Sequence, residues 1–316
     1  MQLQQLRTFT RVVETGSLTR AALQLALTQP AVSKQLSGLE QELDCKLLWR
    51  RGRRLHLTPA GELLYGYARR ITALADQAVD AVANLDRPGH GTVRLGAVSM
   101  VSTTVLPRVL ADFGRHYPAV QVHVETGEVQ DNVDRVLSHR VDLAVVTVPV
   151  VHARIVSLPL TQDDVVLVAS PATAARWPKP LPIARLADLS FVSYQTPSRF
   201  RSFVDGMLEP QGILLRVMME FNTHEGVRSM VRLGLGAAFM PRSVVEEDIR
   251  GGTLAVIPVA DLAPMSRVTS LILPVEGHAN PALAALLDSV GRLFPLAADA
   301  LPAWVRAQAH PARGGD

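Results

Sequence analysis

Thr28-Gln29-Pro30-Ala31-Val32-Ser33-Lys34 gathers hydroxyls, an amide and a cation around what reads as the first turn of a helix. A helix start leaves backbone N–H groups without intrahelical partners, so such a turn presents donors to an anion. Thr28 is a suitable N-cap, and Pro30 suits the first turn because its missing N–H would be an orphan there. Gln29, Ser33 and Lys34 fall on one side, whereas Val32, Leu36 and Leu39 recur at helical spacing on the other. Upstream, Ser17 can cap a shorter helix whose Ala21, Ala22 and Leu25 make a small apolar face, open to the close approach of a neighbour. Two short helices joined by a turn, the second with a polar and weakly basic outer face, describe a helix-turn-helix over Leu18 to Ser37, with a recognition helix shaped for the DNA major groove.

The surrounding elements must hold that turn in place. Leu3, Leu6, Phe9, Val12 and Val13 mark an amphipathic helix ending near Gly16, so three helices precede the basic run Arg50-Arg51-Gly52-Arg53-Arg54. With Leu55 and Leu57 alternating after the glycine turn, that run reads as a small β-wing that carries Arg50, Arg53 and Arg54 to phosphates or into the minor groove. Residues 1–62 hold nine basic and five acidic side chains, a net of +4 in a chain of net +3. The positive field is thus concentrated where phosphates would be met. Trp49 is the only tryptophan in this region, and no ladder of aromatics is present to stack unpaired bases, which argues against single-stranded nucleic acid.

These residues resemble the LysR-type transcriptional regulators. The resemblance rests on Phe9, Val13, Gly16-Ser17-Leu18-Thr19-Arg20-Ala21-Ala22, Leu25, Thr28 to Ser33, Gln35-Leu36, Leu39-Glu40, Leu43, Leu47, Arg50 and Leu57-Thr58-Pro59-Ala60-Gly61, in order along some fifty residues. Two departures stand out: Asp44 where the family usually has Gly, and Leu48 where it usually has Phe. Both sit behind the recognition helix and bear on local packing. The resemblance implies an α/β chain: an N-terminal winged helix-turn-helix (1–58), a long linker and dimerisation helix (59–88), and a two-lobed effector domain like a type 2 periplasmic binding protein (89–294). Its first lobe would comprise 92–162 and 267–294, and its second 163–266.

From Pro59 to Leu85 the chain reads as one helix. Ala60, Leu64, Tyr67, Ile71, Leu74, Ala78, Ala81 and Leu85 alternate spacings of four and three, a heptad seam. Glu62, Arg69, Arg70, Asp76, Gln77 and Asp80 make the rest of its surface polar, so the seam calls for a second copy of the same helix. A homodimer or homotetramer would carry paired recognition helices and read an interrupted inverted repeat. Asp86-Arg87-Pro88-Gly89-His90-Gly91 then forms a linker.

Beyond it, short β-type runs (92–98, 120–125, 142–147, 164–169, 191–194, 217–221, 237–240, 268–275) alternate with helical ones, the pattern of parallel sheets covered on both faces. In such sheets ligands sit beyond the carboxyl ends of strands. That rule marks Ser99, Met100, Ser102 and Thr103 after the first strand, Thr147 after the third, Gln195 to Arg199 after the fifth, and Thr223 before a helix. These positions match the family's effector contacts. They suit a small, polar, anionic co-inducer, with Arg199 either its carboxylate clamp or a surface cover. Pro295 to Asp316, with Leu301 and Trp304 as its large apolar residues, reads as a mobile tail.

The remaining residues narrow the classes. A single cysteine, Cys45, excludes an internal disulfide, and the scattered histidines have no metal-ligand spacing. No cofactor is implied. No uncharged apolar stretch of membrane-spanning length and no signal peptide is evident, so a cytoplasmic protein without membrane contact is expected. An enzyme would need a phosphate loop, a dinucleotide fingerprint or a paired nucleophile and base, and none is evident. A solute-binding or sensor protein without DNA function could own residues 92–294, against the basic N-terminal region. The expected partners are double-stranded DNA, a second copy of the chain, the small effector and RNA polymerase.

Overall fold

The computed structural model describes residues 1–51, 54–83, 89–277, 280–296 and 298–309. Arg53, Leu85 and residues 86–88 of the expected linker lie outside the described residues. The N-terminal unit is α1 (Leu3–Thr15), α2 (Leu18–Gln24), α3 (Gln29–Glu42) and a hairpin of β1 (Leu48–Arg51) and β2 (Arg54–Leu57), followed by the 25-residue α4 (Pro59–Ala83). Gly16 ends α1 in the left-handed region (φ 62°), its N–H reaching the Val12 and Val13 carbonyls, a conformation that costs glycine little. Leu6, Phe9, Val12, Ala21, Ala22, Val32, Leu36, Leu39 and Leu47 form one buried core, which Ala68 of α4 joins.

Two lobes follow. The first contains β3 (Gly91–Ala97), α5 (Ser99–Thr104), α6 (Leu106–His116), β4 (Val120–Thr126), α7 (Val129–Leu137) and β5 (Leu143–Val146). The chain crosses to the second on β6 (Ile155–Ala169). Then come α8 (Pro171–Ala174), β7 (Leu181–Pro182), β8 (Ser190–Tyr194), α9 (Arg199–Leu208), β9 (Arg216–Phe221), α10 (His224–Arg232), β10 (Ala238–Pro241), α11 (Arg242–Arg250), β11 (Ala255–Val256) and β12 (Val259–Ala260). It returns on β13 (Ser266–Pro274) to α12 (Pro281–Leu293) and α13 (Ala303–Ala309). Each lobe has its own apolar core.

The sheets are not purely parallel. β3 pairs in parallel with β4 and β5, and β8 with β9, but β6 and β13 run antiparallel from Ser266 opposite Asp164 to Pro274 opposite Ile155. Their shared sheet has the order β10-β6-β13-β5-β3-β4. The first half of β6 was not expected as strand because Pro159 and the polar Thr161-Gln162-Asp163-Asp164 interrupt its apolar pattern. These two crossing strands connect the lobes, and a register shift between Thr269 and Ser270 interrupts their ladder.

The C-terminal segment corrects a second expectation. Rather than a loose tail, 298–309 carries a 3-10 turn and α13. Val305 is buried, Leu301 and Trp304 pack on the first lobe, and Trp304 Nε1 donates to the Pro274 carbonyl at 3.1 Å. Leu301, just before α13, and Trp304 and Val305 on it supply the apolar surface that docks the helix on the lobe.

Candidate DNA interface and effector cleft

Both caps of the helix-turn-helix form. Ser17 Oγ accepts from Arg20 N, and Thr28 Oγ1 accepts from Ala31 N, each at 3.4 Å. With Val32, Leu36 and Leu39 buried, α3 turns its other side outward: Thr28, Gln29, Pro30 and Lys34 are exposed and Ser33 is half-buried. The predicted polar face is therefore an open surface. Glu40 ties the end of α3 to the hairpin. Its Oε1 accepts from Leu47 N at 3.0 Å and Leu48 N at 3.4 Å, and Lys46 Nζ lies 2.7 Å from Oε2. Partial burial pushes the Glu40 carboxyl up, but the bonds from Lys46, Leu47 and Leu48 outweigh it and hold the group below its ordinary range. The recognition helix and the hairpin are thus fixed relative to each other through a charged acceptor.

The hairpin is antiparallel, Leu48 opposite Leu57 and Arg51 opposite Arg54, so Arg50 and Arg54 lie on its strands; Arg53 lies outside the described residues. Trp49 stacks on His56 with ring centroids 4.9 Å apart and donates from Nε1 to the Leu57 carbonyl. The two departures from the family pattern find their places. Asp44 sits just past α3 with φ 48°, a left-handed position where glycine is unstrained. Leu48 opens β1 half-buried against the domain core.

The expected seam on α4 divides. Ala60, Leu64, Tyr65 and Ala68 face the chain's own helix-turn-helix core, and Tyr65 meets Phe9 edge-on at 6.4 Å. Leu64 is therefore removed from the outward seam, because Gly61 lets α4 press against the Leu47 backbone: a Cβ there would stand 2.1 Å from Leu47 O. Beside this contact and further along the helix, Leu63, Tyr67, Ile71, Leu74 and Val82 are 38–76 % exposed, with Ala78 also exposed. Of the remaining seam residues, Ala81 is half-buried and Leu85 lies outside the described residues.

The lower half of α4 rests on the first lobe through polar contacts. Gln77 Nε2 donates to His139 O (3.1 Å) and Asp142 Oδ1 (3.3 Å). Arg94 Nη2 pairs with Asp80 at 2.7 Å, and Arg94 N donates to Asp142 Oδ2 at 2.7 Å. Burial lifts the Asp142 carboxyl to about 6 despite these bonds.

The effector residues form two groups, one per lobe, each beyond the carboxyl ends of adjacent parallel strands. Ser99, Met100, Ser102 and Thr103 follow β3, and Thr147 follows β5; Gln195 and Arg199 follow β8, and Thr223 follows β9. Ser99, Thr103, Gln195, Arg199 and Thr223 are exposed, while Met100 and Thr147 are buried. Several hydroxyls are already used locally. Ser102 Oγ donates to Ser99 O at 2.6 Å, Thr103 Oγ1 to Met100 O at 2.9 Å, and Thr223 Oγ1 caps α10 through Gly226 N at 3.1 Å.

Sequence reasoning missed the groups between these clusters. Arg267, on crossing strand β13, donates from Nη2 to Thr147 Oγ1 at 3.0 Å, and its guanidinium lies 5.4 Å from the Phe200 ring and 5.9 Å from that of Phe203. Tyr194 OH bonds His224 Nδ1 at 2.7 Å, and both rings pack edge-on against Phe200. Burial, reinforced by the charge of Arg267, pulls the His224 imidazole down to about 4, and burial pushes the Tyr194 phenol far up, so both are neutral at pH 7. The phenol proton then bonds Nδ1 and leaves Nε2–H as a donor. The available signal was Arg267 itself, the one charged residue of β13.

Residues 3–62 match the family model for the "Bacterial regulatory helix-turn-helix protein, lysR family", and residues 86–295 that for the "LysR substrate binding domain". Among curated relatives, the "Uncharacterized HTH-type transcriptional regulator YeiE" of Escherichia coli K12 is 33% identical over 286 residues, covering 90% of this chain and 96% of that protein. A "Probable RuBisCO transcriptional regulator" of Synechocystis is 31% identical over 322 residues, covering 99% and 93%. Among solved structures, full-length CbnR complexed with its target DNA shares the fold with a TM-score of 0.68 at 23% identity, covering 92% of this chain and 99% of that one. A full-length OxyR variant from Pseudomonas aeruginosa gives 0.69 at 22%, covering 93% and 96%.

Proposed function

Because this chain belongs to the LysR family of DNA-binding transcriptional regulators, we propose that it binds an interrupted inverted repeat as a homo-oligomer and responds to a small anionic effector held between its lobes. The family is one of regulators rather than enzymes. Among the described residues, no helix is long and apolar enough to cross a membrane.

The outward face of α3 carries the DNA reading. Thr28, Gln29, Pro30 and Lys34 stand exposed at a capped helix start, on a domain of net charge +4. Gln29 and Ser33 read base edges, which is where sequence is specified, while Ser17, Lys34, Arg50, Arg53 and Arg54 meet phosphates and position the helix. Tyr67, Ile71, Leu74 and Ala78 pair with the same helix of a second copy, which brings in the second half-site. An effector bound in the cleft changes DNA geometry, and with it contact to RNA polymerase, only to the extent that it binds one oligomer shape better than another.

A mobility-shift assay with DNA from upstream of the adjacent gene tests this reading. Arg53→Ala should weaken binding and flatten its salt dependence by about one counterion. Ser33→Ala should instead change the preferred sequence at one position of each half-site. Failure of the wild type to shift any such fragment at low salt would remove the operator reading.

A further inference from the structure

The cluster around Arg267 lies outside the residues that the sequence marks for an effector, yet it sets beside them a half-buried guanidinium with a single hydrogen bond among the described residues. A guanidinium carries five N–H donors. Among the described residues, only the bond from Nη2 to Thr147 engages one of them, and no carboxylate forms an ion pair with this side chain. Asp163, the acidic group that acts on it electrostatically, is itself held by Ser243, through N at 3.1 Å and Oγ at 2.5 Å. Burial and the nearby Arg199 both work against the Arg267 charge. A half-buried cation without a counterion is costly, and an incoming anion removes that cost.

The walls specify the remainder of the ligand. Phe200 and Phe203 lie against the guanidinium, Tyr194 packs on Phe200, and the neutral His224 beside them offers Nε2–H. One cation, one neutral donor and three aromatic rings suit an anion joined to an apolar body. They suit an inorganic oxyanion poorly, since it asks for donors all round. A guanidinium edge matches the two oxygens of a carboxylate.

Resting on the reading that the cleft between the lobes is a ligand site, we propose that Arg267 is the anion clamp of that cleft and that its ligand is a carboxylate on an apolar, flat body. The position of Arg267 also gives the ligand leverage. It stands on β13 two residues before the register shift at Thr269/Ser270 and bonds Thr147 of the first lobe, so a ligand carboxylate either competes with that bridge or extends it.

Thermal unfolding of the full chain in sodium benzoate, sodium sulfate and sodium chloride at matched ionic strength tests the proposal. Benzoate at about ten times its dissociation constant should raise the midpoint by roughly 2–4 °C over chloride. Arg267→Met, which keeps the stem against the phenylalanines, should abolish the rise. Arg267→Lys, which keeps the charge without the planar fork, should retain part of it and serves should the first variant fold poorly. No rise for the wild type in either salt overturns the clamp, and sulfate matching benzoate overturns the carboxylate. A rise that Arg267→Met keeps but Thr147→Val or Arg199→Met loses overturns Arg267 while leaving the cleft. A rise kept by all three variants overturns the cleft site as well.

Discussion

The two halves of α4 are fastened by different physics. Its upper half is welded to the helix-turn-helix by apolar burial, with Ala68 fully buried, Tyr65 against Phe9 and Gly61 pressed on the Leu47 backbone. Its lower half is held on the first lobe by Gln77, the Asp80–Arg94 pair and Asp142. Apolar packing is insensitive to salt and pH and tolerates little change of shape. Polar contacts at a part-buried surface can exchange for water or for other donors at modest cost. α4 therefore moves with the DNA-binding unit as one body, and the joint that can be remade lies between α4 and the lobe.

The largest effect that would break this contrast is at Gly61. Gly61→Ala puts a methyl into the Leu47 carbonyl and should cost roughly 1–3 kcal/mol in denaturant unfolding, with weakened DNA binding. An unchanged midpoint would mean the weld is loose. Asp142→Ala should follow, at about 1–3 kcal/mol, because the Arg94 N–H loses its acceptor. Its loss should appear in the unfolding of the lobe, with operator binding by the N-terminal unit preserved.

Titration sharpens the comparison further. The Asp142 carboxyl ionises near 6 in the fold against 3.8 ordinarily, so between those values the folded protein holds a proton that the unfolded chain has released. Stability from this group is then lost as pH rises from about 4 to 6, and Asp142→Asn should flatten that slope. His224 in the cleft acts in the opposite direction. Its imidazole, pulled from 6.5 to about 4, leaves the unfolded chain binding the extra proton, so stability falls as pH drops through that window, and His224→Phe should remove the fall. Urea midpoints at half-unit pH steps distinguish the two. The smallest effect is at Asp44. Asp44→Gly should gain roughly 0.5–1 kcal/mol, by relieving the left-handed backbone at φ 48° in excess of the added chain entropy.

What could be read from the chain divides along the same line between local and tertiary causes. Ser17, Thr28, Pro30 and Gly16 act on the backbone within four residues, and each takes the expected position. The outward polar face of α3 was equally legible, since helical spacing alone sorts Gln29 and Lys34 from Val32 and Leu36. Leu64 was not, because periodicity shows that a helix has an apolar face without saying whether its own domain or a second copy covers it. The first half of β6 was hidden because its polar stretch becomes strand only through pairing with β13, more than a hundred residues away. Arg267 was hidden for a related reason: its neighbours come from two distant stretches of chain, Thr147 after β5 and Phe200 and Phe203 on α9.

The outward stripe on α4 has a geometric consequence of its own. Leu63, Tyr67, Ile71, Leu74, Ala78 and Val82 are spaced by four, four, three, four and four residues, a mean repeat longer than the 3.6 residues of a helical turn. A heptad seam repeats at less than a turn and winds its helices left-handedly; a stripe of longer repeat drifts the other way around the cylinder. In the proposed dimer the two copies of α4 therefore cross like the blades of scissors, touching most closely around Ile71 and Leu74, instead of coiling along their length. Such a crossing acts as a pivot: a small change of angle at the middle swings the DNA-binding units at the ends of the helices through a much larger arc.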